Sequence, residues 1–216
     1  MRSNTCNSLL IPACVVALLL CCPTLQAIQT ITIGNTYAYT PPAGGGTSPN
    51  VGPYSATISP SPGNLLVFCL DGNINGANGN GTLYAFNDPI FQARTGQASL
   101  DTQEEEAAFL ASYALTLDPS HNQISTVDGP IQLAIWYIMN TLPSSVTAVN
   151  STTNPVAWAY VRQAQNFVGS HPSLFSTTAT TGFMSGVSVW IPSAGTQRFI
   201  DVGPLPPGFV DRKSVV

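Results

Sequence analysis

The run Leu65-Leu66-Val67-Phe68-Cys69-Leu70 follows Ser59-Pro60-Ser61-Pro62-Gly63 and ends at Asp71-Gly72, so six consecutive apolar residues sit between turn-forming sequences. A short apolar run bounded in this way reads as a strand. Side chains alternate across a strand, which puts Leu65, Val67 and Cys69 on one face and Leu66, Phe68 and Leu70 on the other. Both faces are apolar, and this predicts a central strand with Cys69 buried.

Other strands are expected at both ends of the chain. Ile28 to Tyr39 contains alternating stretches such as Ile31-Thr32-Ile33, and Tyr54 to Ile58 reads as a second strand. Strand-like sequence returns in Val187 to Ile191 and Gln197 to Val202, and closing one sheet from both ends would bury Trp190 and Phe199. Asp71 to Gly81 reads as a Gly/Asn-rich loop.

Three helices are expected between the two groups of strands. The first opens at Asp101-Thr102 with a capping box, Thr102 with Glu105, and stops before Asp118-Pro119. Its Glu104-Glu105-Glu106 run reads as a solvated, dipole-favoured helix start. The second follows Asp128-Gly129-Pro130 and runs to about Asn140; the third starts at Asn154-Pro155 and runs to about Val168. The expected fold class is α+β, a single domain over residues 28–210 with an antiparallel β-sandwich or barrel-like sheet and a central three-helix insertion, followed by a short tail at 211–216.

The N-terminus reads as an export signal over residues 1–27: Arg2, the apolar stretch Leu9 to Cys22, and Ala27 as a small cleavage-site residue. The apolar stretch is shorter than the ~20 residues of a membrane span and contains Pro12. No membrane span is expected in the mature chain, which would be secreted or held at the cell surface. Its roughly 190 residues are enough for a sizeable core. Charged residues are 7% of the sequence, against about 25% in an ordinary soluble domain. The net charge is −4 and Lys213 is the only lysine, which argues against nucleic acid or anionic membranes as partners.

Removal of the signal leaves Cys69 as the only cysteine. An exported chain with one thiol cannot close an internal disulfide, so the sulfur is inert, intermolecular or committed to other covalent chemistry. Gln132 lies on the same helical face as Ile135, Trp136 and Met139, and a buried amide there needs partners. It can bond to neighbouring backbone, or it can react with a buried thiol: sulfur attacks the side-chain carbonyl, ammonia leaves, and an internal thioester forms. A helix beginning near Pro130 would put Gln132 in its first turn, where free N–H groups could stabilise the oxyanion. Ile131, Ile135 and Trp136 could exclude water.

Phe68-Cys69-Leu70 together with Ile131-Gln132-Leu133-Ala134-Ile135-Trp136 resembles the paired signature of bacterial thioester domains, adhesin modules in which a Cys strand meets a Gln-x-Ala-Ile-Trp helix. The resemblance spans Leu65 to Asn140, with a Cys-to-Gln separation shorter than in the well-described modules. It implies a Cys69–Gln132 thioester that captures amines on a surface protein or polymer, within a pocket of Phe68, Ile131, Ile135 and Trp136. Such capture is used once and does not turn over, so the chain is not expected to be an enzyme, and no cofactor is implied. The helical part also resembles domains of exported proteins carrying a Pro-Glu-Pro sorting signal, and the ending of this chain has neither that tail nor a Leu-Pro-x-Thr-Gly wall anchor. The alternative is a non-reactive secreted structural or matrix protein of the same fold, with Cys69 as a core thiol.

Weaker motifs remain. Asp71, Asn73 and Asn75 match the start of a calcium loop, but Thr82 stands where the bidentate Glu would be, and an Asn/Gly turn is the simpler reading. His121, in the loop before the Gln132 helix, is a candidate base for thioester opening. Two histidines far apart and no second mature cysteine argue against a structural zinc site. Gly182 to Gly186 has the wrong spacing for a nucleophile elbow, so no hydrolase signature is present.

Overall fold

A computed structural model describes residues 28–42, 48–60, 63–74, 78–85, 102–175, 183–193, 195–206 and 209. The signal segment 1–27, Asn75 and the tail 211–216 lie outside the described residues. The described residues form eight strands: β1 (Gln29–Ile33), β2 (Tyr37–Ala38), β3 (Asn50–Val51), β4 (Tyr54–Ser59), β5 (Gly63–Cys69), β6 (Gly79–Ala85), β7 (Ser188–Pro192) and β8 (Phe199–Asp201). Between β6 and β7 lie α1 (Thr102–Leu117), a π-helical turn (Ile124–Asp128), α2 (Gly129–Ile138) and α3 (Pro155–Ser170).

Six strands close into an antiparallel barrel in the order β1-β4-β5-β8-β7-β6, and β2 pairs with β3 as a separate ribbon. The open choice between sandwich and barrel is thus resolved as a barrel. β5 is central, paired with β4 through Tyr54↔Val67 and with β8 through Cys69↔Phe199. Directly paired residues share a face. Tyr54, Val67, Cys69, Phe199 and Trp190 therefore face one way, and Phe68, Ile200, Val189 and Tyr84 the other.

Both faces are buried, as the apolar run predicts. On β4 the residues alternating with Tyr54, Ala56 and Ile58 are half-buried or exposed, so the Tyr54 and Cys69 face lies inside the barrel. The outer face around Phe68 is covered as well; α1 packs against β8 and α2 against β5, while the three helices pack on one another. Sheet closure leaves Trp190 and Phe199 each only 1% exposed.

Three sequence expectations fail in the fold. The strand expected over Ile28 to Tyr39 is split into β1 in the barrel and β2 in the separate ribbon. β6 occupies a segment whose first part reads as a loop. At Gly81 a Cβ would lie 2.5 Å from the Ile191 carbonyl oxygen and 2.7 Å from the Trp190 ring, so glycine serves close packing there, not a turn. The acidic start of α1 is not a solvated face either: Glu104 and Glu106 are buried. Glu104 lies 3.8 Å from Arg198, which also binds Asp71.

Candidate functional site

β5 ends at Cys69, and what happens at that end builds the site. In an antiparallel ladder a residue sends both its N–H and its C=O to the same neighbour. Leu70 N–H bonds the Arg198 carbonyl on the β8 side, so the polar groups of Cys69 point toward the β4 side. The β4–β5 ladder has stopped there, its last pair being Tyr54↔Val67. The Gln132 carboxamide fills the gap. Its Nε2 donates to the Cys69 carbonyl at 2.7 Å, and its Oε1 accepts from Cys69 N–H at 3.2 Å. Gly52 N–H is a second donor to Oε1, at 3.3 Å.

Both residues are fully buried. The acyl carbon of Gln132 lies between two hydrogen bonds to the residue whose sulfur would attack it. Its oxygen already receives two fixed backbone N–H groups, the arrangement that stabilises a developing oxyanion. The helix end plays no such part. Gly129 N–H bonds the Ile124 carbonyl, so α2 continues out of the π-helical turn without a free first turn at Gln132. Gly52, which the sequence does not single out, takes that role. Any side chain there would crowd the site, since a Cβ would lie 3.0 Å from Gln132 Oε1 and 3.1 Å from the Tyr54 ring.

Burial pushes the Cys69 thiol up to about 12. The Trp136 indole and the Asp71 backbone N–H oppose this; to a smaller extent the Asp71 carboxylate adds to the rise and Arg198 offsets it. Such a thiol is almost wholly protonated at neutral pH and inert to outside reagents. Ile131, Ile135 and Trp136 are buried beside Gln132 on α2. Phe68 is buried on the other face of β5 by strand alternation, so it backs the strand rather than covering the sulfur. Outside the site a cleft of about 700 Å³ is lined by Tyr54 and Trp136 together with neutral polar residues, among them Asn50, Asn73, Ser144 and Gln197. Cys69 and Gln132 do not line it, whereas Tyr54 and Trp136, which both interact with Cys69, do.

The remaining candidates fall elsewhere. The Asp71 carboxylate is engaged by Arg198 through Nε, Nη2 and the backbone N–H, at 2.7 to 3.1 Å, which commits it to tying β5 to β8 rather than to a calcium loop. Asn73 is exposed. His121 has its ring 3.8 Å from Asp128 and is influenced by Asp118, and none of its polar contacts reaches Cys69 or Gln132. Burial lowers its pKa. Among the described residues no helix is long and apolar enough to cross a membrane.

No family model matches the chain, and no curated protein or solved structure is significantly similar to it.

Proposed function

We propose that this chain is an exported capture module in which Cys69 and Gln132 condense into an internal thioester that an amine on a target surface then opens. The observation that carries the reading is the seating of the Gln132 carboxamide on both polar groups of Cys69, with Gly52 N–H as a further donor to its oxygen. In the first step the Cys69 sulfur attacks the Gln132 acyl carbon, negative charge develops on Oε1, and the two N–H groups stabilise it. The C–N bond breaks and ammonia departs, carrying the thiol proton. In the second step an amine attacks the same carbon, the C–S bond breaks, and an amide and a Cys69 thiol remain.

The thiol pushed up to about 12 bears on the rate of opening. A thiolate leaving into that core is a poor leaving group, so the bond would resist water until Trp136 or Tyr54 moves. The same hydrogen bonds also satisfy Gln132 as an ordinary core amide, which favours the second reading, a non-reactive secreted structural protein. Methylamine separates the two. Folded chain treated with it should gain an N-methylamide at Gln132 and one free thiol, located by peptide mapping. A Gln132 that keeps its own amide after prolonged treatment contradicts the thioester.

A further inference from the structure

The connection between α1 and α2 brings two buried carboxyl groups and a histidine together. Asp118 follows the last residue of α1, at the negative end of that helix, where an anion is disfavoured. Asp128 ends the π-helical turn that leads into α2. The two residues are 1% and 0% exposed. One oxygen of each carboxylate and one ring nitrogen of His121 all lie within 4.8 Å of one another.

Partners are scarce for this set. Asp118 Oδ2 accepts the Gln123 backbone N–H at 2.6 Å. Among the described residues neither oxygen of Asp128 accepts a backbone N–H or hydroxyl, and Nδ1 of His121 has no hydrogen-bond partner; burial and the facing Asp118 carboxyl, within hydrogen-bonding reach, push Asp128 up to about 7. Among the described residues the one ion pair made by either carboxylate is the 3.8 Å approach of His121 Nδ1 to Asp128 Oδ2. Among the described residues the hydroxyls of Tyr113 and Tyr160, whose rings are 6.2 Å apart, are also buried without a hydrogen-bond partner, and Asp128 acts on Tyr160 electrostatically. Buried polar groups in folded proteins are almost always satisfied, so two buried carboxylates that face each other call for a positive charge between them.

We propose that Asp118, His121 and Asp128 form a binding site for one divalent transition-metal cation of the zinc or manganese kind. Two carboxylate oxygens and an imidazole nitrogen suit such an ion better than calcium or magnesium, which take oxygen alone. Ligands about 2.1 Å from a shared zinc ion are roughly 3–4 Å apart, so a shift of about an ångström closes the cluster. The sequence argument against zinc counted histidines and cysteines, whereas two of these ligands are carboxylates. Asp128 precedes Gln132 by four residues along a continuous helical path, so the ion would fix the entry of α2 to the end of α1. The proposal rests on none of the Cys69 and Gln132 chemistry.

The test uses the untagged mature chain, stripped with a chelator and titrated separately with Zn²⁺ and Mn²⁺ by calorimetry, with metal content measured after gel filtration. One equivalent of either ion should bind and raise the melting temperature. His121→Gly should weaken binding at least tenfold while keeping the backbone unstrained, because His121 has φ 52° and glycine adopts that freely. Asp128→Asn should weaken it likewise, and if that variant fails to fold, His121→Gly alone decides. No uptake by the wild-type chain, as when the two carboxylates share a proton, overturns the proposal. So does uptake that His121→Gly leaves unchanged.

Discussion

The hydrogen bonds between Gln132 and the end of β5 can be weighed by removing the carboxamide where no thioester can form. Cys69→Ala provides that background, since it keeps the residue 69 backbone and deletes only the sulfur. Adding Gln132→Ala then breaks three hydrogen bonds and orphans two N–H groups and one C=O in the core. Each orphaned buried group costs about 1–3 kcal/mol, giving an upper range of about 3–9 kcal/mol. The hole left by the amide is lined with polar groups and large enough to admit a water, so the lower end applies, about 3 kcal/mol. That is a large share of the ~5–15 kcal/mol that stabilises a typical domain. With a urea slope of about 2 kcal/mol/M, the unfolding midpoint should fall by about 1.5 M relative to Cys69→Ala alone. Fluorescence of buried Trp136 and Trp190 reports the transition. A fall under about 0.3 M would refute the idea that Gln132 completes the ladder left open by β4.

Gly52→Ala should cost about 1–3 kcal/mol and slow ammonia loss, because its Cβ would press on Gln132 Oε1 and Tyr54; an unchanged urea midpoint and an unchanged rate of ammonia loss by mass contradict this. Gln132→Glu, the chain that thioester hydrolysis would leave, should hold its acid protonated so that its O–H donates to the Cys69 carbonyl, raising the folded pKa above the usual value. A raised carboxyl pKa means that the folded state binds the extra proton, so stability is greatest below about pH 4 and falls as pH rises through the folded pKa; urea midpoints that rise with pH in this variant, relative to the parent, would contradict it. Burial likewise pushes Asp201 up to about 6. Its contribution should decline between about pH 4 and about pH 6, and Asp201→Asn should remove that slope and match or exceed the parent stability at neutral pH; a lower midpoint there, with the slope intact, counts against it.

What the sequence reveals depends on how local the cause is. The three helices are legible because most of their limits are written in adjacent residues: Asp118-Pro119 stops α1 and Pro155 opens α3, while the helical path into α2 starts upstream of Pro130, at Ile124. β5 and its buried Cys69 are legible because both faces of the run are apolar. β6 is not, since Gly79-Asn80-Gly81 weakens the strand signal and the demand for glycine at 81 comes from Trp190 across the sheet. The burial of Glu104 depends on Arg198 from the far end of the chain, which no local pattern announces. At the site, Cys69 and Gln132 can be paired from their surroundings in sequence. The donors that hold the carboxamide are backbone N–H groups, one of them from Gly52, and backbone donors carry no residue signature. Asp118 and His121 are three residues apart with Asp128 ten beyond the first, a spacing that becomes a cluster only when the π-helical turn folds back.

Intact mass of the mature chain, purified without amines and sprayed before any denaturing or alkylating step, bears most directly on the pairing of Cys69 with Gln132. A thioester lowers the mass by one ammonia, and both Cys69→Ala and Gln132→Ala abolish that deficit. A freshly prepared chain at full mass, whose thiol titrates completely on unfolding, would contradict it and leave Cys69 a packing residue at the end of its strand.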